Sequence, residues 1–68
     1  MENKMYCVRF VRIDGQPDEE YHYWHREDAE QHLKVFQDDD SGLYERIELV
    51  VIAGGLSSIL TTMKFVAA

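Results

Sequence analysis

The chain is poor in cysteine, proline, glycine and basic side chains, and it carries no charge between Leu49 and Met63. The lone thiol, Cys7, cannot close an internal disulfide; this excludes the secreted disulfide scaffolds and leaves Cys7 as a small hydrophobe in a reduced compartment. One proline and four glycines among 46% hydrophobic residues exclude a disordered tail, despite a net charge of -6. Seven basic residues against thirteen acidic ones exclude direct binding to nucleic acid or anionic lipid, because that attraction needs clustered lysine and arginine. The uncharged run falls short of the ~18 apolar residues of a spanning helix, and Gly54, Gly55, Ser57, Ser58, Thr61 and Thr62 interrupt it, so no membrane association is expected. Met1 to Lys4 lacks the cationic start of a secretory signal and leads straight into strand-like residues, which predicts a cytoplasmic protein. No catalytic fingerprint, phosphate loop or metal-ligand spacing stands out, so no enzyme activity and no cofactor are expected.

What remains is one domain over residues 1–68, short enough to bury only roughly 60% of the surface its unfolded chain exposes. With no disulfide to supplement a thin core, oligomerisation is the natural supplement, and a homodimer or a protein partner is expected. The pattern along the chain predicts ββαββ. Met5 to Ile13 alternates β-branched and aromatic residues as a strand, Asp14 to Asp18 holds turn formers, and Glu20 to Trp24 returns as a second strand. From Arg26 to Gln37 the period becomes helical, with Ala29, His32, Leu33 and Phe36 on one face. Glu27, Asp28 and Glu30 suit the helix amino terminus, Glu30 is placed to pair with Lys34, and Gly42 supplies the stop. Leu43 to Ala53 reads as a third strand and Gly54 with Gly55 as a turn. Leu56 to Val66 is read as a fourth strand on the strength of its threonines, Ile59, Phe65 and Val66. The expected architecture is α+β, an antiparallel sheet with one helix packed on one face and the other face uncovered. Val50, Ile52, Met63 and Phe65 are expected to form an apolar interface on that uncovered face, provided that Ile59 shares the side of Met63 and Phe65.

The chemistry-bearing residues divide into four groups. His25, Asp28 and His32 fall at offsets of three and four with His22 nearby, a set that a small metal-dependent or acid/base enzyme would use; structural histidines without metal are the expectation. Asp38 to Gly42 resembles a calcium loop only superficially, since counting from Asp38 puts Leu43 at the glycine position and Leu49 at the closing glutamate. Tyr21, Tyr23 and Trp24 would make a stacking platform for single strands, but Asp18, Glu19 and Glu20 before them and Glu27 and Asp28 after them have the wrong charge. The fourth group is three acidic clusters, Asp18, Glu19 and Glu20, then Glu27, Asp28 and Glu30, then Asp38, Asp39 and Asp40, within a stretch of ten carboxylates against Arg26 and Lys34. Such a face keeps a small domain soluble and suits a basic protein surface. The function expected from these features is a non-enzymatic acidic protein-protein interaction module, an inhibitor or nucleic-acid mimic among its forms.

Overall fold

A computed structural model describes residues 4–65. It contains β1 (Lys4–Arg12), β2 (Glu19–Tyr23), α1 (Arg26–Val35), β3 (Tyr44–Ala53) and β4 (Leu56–Lys64), the ββαββ order expected of a small α+β domain. The strands form one antiparallel sheet in the order β2-β1-β3-β4, so the edges are β2 and β4. Val66, at the end of the expected fourth strand, lies outside the described residues. No helix among the described residues is long and apolar enough to cross a membrane.

Turn chemistry sets the hairpins. Gly15 has φ 80°, and Asp14 beside it accepts a hydrogen bond from the Gln16 backbone N–H at 3.1 Å while receiving two from the Arg12 guanidinium. Those donors hold the Asp14 carboxyl at a pKa of about 2. Gly54 and Gly55 both have positive φ, 58° and 78°, the conformation that lets a two-residue turn match the twist of β3 and β4.

The core lies between α1 and the sheet. Val8 and Phe10 of β1, Ile47 and Leu49 of β3, and Ala29 and Leu33 of α1 are buried together, with Tyr6, Tyr23, Phe36, Tyr44, Met63 and Phe65 packed around them. Phe10 is the hub. Its ring lies within 5.5 Å, centroid to centroid, of Tyr21, His32, Phe36 and Tyr44. The helix packs on β1, β2 and β3 and leaves β4 beyond its reach.

Two features of α1 differ from expectation. The helix ends at Val35 with Phe36 as its cap, closed by tight bonds from Phe36 N–H to the Leu33 carbonyl and Gln37 N–H to the Lys34 carbonyl. Gly42, with φ 75°, therefore serves the approach to β3 rather than the helix stop. Asp38, Asp39 and Asp40 stand beyond the helix end, where its dipole has little force. Glu30 pairs with Arg26 at 3.5 Å instead of Lys34; both residues of that pair are about half exposed, and the contact adds a few tenths of a kcal/mol at most.

Two bulges decide which side chains share a face. Val11 and Arg12 pair with Arg46 and Tyr44, so Glu45 is an extra residue and Tyr44 returns to the helix side. Leu49 and Val50 pair with Thr61 and Ile59, so Leu60 is extra and β4 changes phase. Ile59 consequently faces the same way as Val50, whereas Met63, opposite Ile47, and Phe65 pack on the helix-side core. The condition placed on Ile59 is not met. Val50 and Ile52 are on the uncovered face and Met63 and Phe65 are on the other, so these four residues do not form one surface.

Candidate functional site

The uncovered face has a polar half and an apolar half. Arg9 of β1 is in register with Glu20 of β2 and Glu48 of β3, and its guanidinium binds both, at 2.9 Å and 3.2 Å. Glu48 is only 5% exposed and also accepts from Arg46 at 3.1 Å, while Arg46 reaches Glu45 as well. The result is a ladder of alternating charge across three strands, with its most buried carboxylate held by two cations. A shallow hollow of about 460 Å³ beside it is lined by Arg46, Glu48, Thr62 and Lys64 with Glu45 and Phe65. Above the ladder Cys7 and Val50 pair directly and are each 1% exposed. Burial raises the pKa of the Cys7 thiol and the Glu20 charge adds to the rise, while Arg9 and the Tyr21 backbone N–H oppose it.

The second feature is the edge strand β4. Leu56 is 76% exposed, Ile59 55% and Leu60 39%, and the strand has no charged side chain before Lys64. Sheet edges usually carry lysine, proline, brevity or cover against unwanted pairing. β4 runs nine residues with neither helix cover nor proline, interrupted only by the bulge at Leu60.

The acidic residues fall in three segments outside β4. Asp18 immediately precedes β2 and Glu19 and Glu20 open it, Glu27, Asp28 and Glu30 belong to α1, and Asp38, Asp39 and Asp40 to the loop before β3. From Ser41 onward Glu45 and Glu48 are balanced by Arg46 and Lys64. Not every carboxylate is available. Glu20 is tied to Arg9, Glu30 to Arg26, and Asp39 accepts from the Ser41 hydroxyl at 2.7 Å and from its backbone N–H. Among the described residues Asp18, Glu19, Glu27, Asp28, Asp38 and Asp40 have no ion-pair partner.

The histidines separate. His25 caps α1 with its backbone, and His32 packs among Phe10, Tyr21, Tyr23 and Phe36 with its Nδ1 hydrogen-bonded to Tyr23 Oη at 2.8 Å. His22 lies on the uncovered face, opposite Cys7. His22, His25, Asp28 and His32 thus form no common ligand cluster; among the described residues the side chains close enough to share an ion are Cys7, Glu20 and His22. Tyr21 and Tyr23 are likewise spent on helix-side packing, and Trp24 stands 67% exposed after β2.

Burial lowers the His32 pKa from its ordinary 6.5. The unfolded chain therefore takes up a proton on this ring at a pH where the folded chain does not. Stability should fall as pH drops below that ordinary value, and level off once pH passes the depressed folded value. Urea midpoints measured between about pH 7 and pH 5 should show this loss, and His32→Gln should flatten it. An unchanged slope in the variant would remove His32 as its cause.

No family model, curated protein or solved structure matches this chain.

Proposed function

We propose that the protein is a non-enzymatic interaction module of the cytoplasm that assembles as a homodimer through β4. The dimer presents its acidic β2 and α1 sides outward to a basic protein surface. The observation that carries this reading is the long, exposed β4 edge, uncharged from Leu56 to Met63, where a second copy can add antiparallel and satisfy the open backbone groups. Charge is compatible with the same geometry: two chains of net charge -6 repel, yet β4 itself carries no acidic side chain. A β4-to-β4 contact is self-complementary, as a two-fold interface requires. Leu56, Ile59 and Leu60 would bury apolar surface that the monomer leaves in water.

In such a dimer the six unpaired carboxylates stay outside the β4 seam, where they would steer a basic partner that otherwise binds phosphates. This is the inhibitor or nucleic-acid-mimic form of the reading.

Sedimentation at micromolar concentration tests the assembly. The wild-type chain should run as a dimer, and Ile59→Lys with Leu60→Lys should run as a folded monomer, because both side chains are exposed in the single chain and only the pair of edges brings the lysines together. A monomeric wild type, or a lysine variant that still dimerises, would reject the β4 interface.

A further inference from the structure

The uncovered face holds a second arrangement, separate from β4. Cys7 of β1 lies directly across from His22 of β2, and Glu20 sits two residues before His22 on the same side of the strand. The Cys7 Sγ, a ring nitrogen of His22 and a carboxylate oxygen of Glu20 lie within 4.8 Å of one another. We infer that these three side chains form a binding site for a divalent ion of the zinc class, with the fourth coordination position open to solvent.

The donor set selects the ion. Thiolate, imidazole and carboxylate together suit zinc and its borderline-soft neighbours, whereas magnesium and calcium take oxygen ligands. The scaffold selects the geometry. Two ligands alternate along one strand and the third stands opposite on its hydrogen-bonded neighbour, so the backbone fixes all three without a flexible loop. Arg9 completes the arrangement by binding Glu20 through Oε2, which orients the carboxylate and leaves its other oxygen for the ion. The positive charge of Arg9 is at the same time balanced by Glu48. Exposed His22 and Glu20 give the ion a path in, while the thiol lies at the buried floor. Binding replaces the Cys7 S–H proton by the metal, and that proton leaves to solvent, so affinity should rise with pH. The ion would cross-link β1 to the short edge strand β2 in a domain that has no disulfide to do so. The site departs from the sequence-based expectation that no metal is held, and of the residues weighed there it uses only His22, which lies near the helical set of His25, Asp28 and His32 without sharing its spacing.

Cobalt is the probe, added to the full chain prepared without a histidine tag. One equivalent of Co²⁺ should bind, giving a thiolate-to-cobalt charge-transfer band and the strong visible absorption of a four-coordinate site, both displaced by Zn²⁺. Zn²⁺ should also raise the melting temperature. His22→Ala, a change at an exposed position, should weaken binding by roughly tenfold or more, and Cys7→Ser should abolish the charge-transfer band. His25→Ala should change neither. Absence of cobalt binding, binding without the thiolate band, or a His22→Ala variant that binds as tightly as the wild type would overturn the site.

Discussion

Phe10→Ala is expected to remove about 3–5 kcal/mol of stability, the usual loss when a buried aromatic is cut to a methyl. A domain of this length has roughly 3–10 kcal/mol in total, so the loss is about a third or more of the whole. The reason is the ring's position. Phe10 is 2% exposed and touches Tyr21 from β2, His32 from α1, Phe36 at the helix cap and Tyr44 from the start of β3, so its loss opens a cavity shared with three other elements. Neighbours anchored on separate elements cannot all collapse into one gap. Phe10→Leu, which keeps most of the volume, should fold with a smaller loss. Urea denaturation followed by circular dichroism measures both. A cooperative Phe10→Ala transition shifted by less than about 1 kcal/mol would show that the aromatic cluster does not centre on this ring.

That cluster is half legible in the sequence. The helical period of Ala29, Leu33 and Phe36 and the alternation of Val8 and Phe10 fix the elements and their inward faces, because a core-facing stripe must repeat every 3.6 or 2 residues. Simple alternation puts Tyr44 on the wrong face, and it gives Val50 and Ile52 the wrong company. Both errors have the same cause. A bulge inserts one residue, Glu45 in β3 and Leu60 in β4, and every side chain beyond it changes side. Neither bulge is marked by glycine or proline, so composition gives no warning.

The candidate sites are legible to different degrees for different reasons. The uncharged stretch from Leu49 to Met63 is plain in the sequence, but its meaning depends on β4 being an edge, and edge position belongs to the sheet order rather than to any local segment. Cys7, Glu20 and His22 cannot be grouped by spacing, since their proximity comes from the register of the β1–β2 hairpin. The acidic clusters stand out as a run of carboxylates. Their partition does not: Glu20, Glu30 and Asp39 have local partners that only side-chain geometry reveals.

The charge ladder gives the other large effect. Glu48 has almost no access to water and depends on Arg9 and Arg46 for the interactions that replace hydration. Replacing both arginines by methionine keeps their apolar stems but strands a buried carboxylate, and the expected loss is about 3–5 kcal/mol at neutral pH. Either single replacement leaves Glu48 one guanidinium and should cost much less than half of that, so the two changes should be strongly non-additive. Glu48→Leu removes the buried charge itself. Arg9 still has Glu20 and Arg46 still has Glu45, both arginines keep partial access to water, and this variant should lie within about 1 kcal/mol of the wild type. The contrast separates two accounts of the ladder. If the ion pairs themselves stabilise the sheet, Glu48→Leu should be nearly as damaging as the double arginine variant; if the cost of a stranded charge dominates, only the double variant should fail. Urea midpoints of the four variants decide between them, and equal losses for Glu48→Leu and the double variant would refute the stranded-charge account.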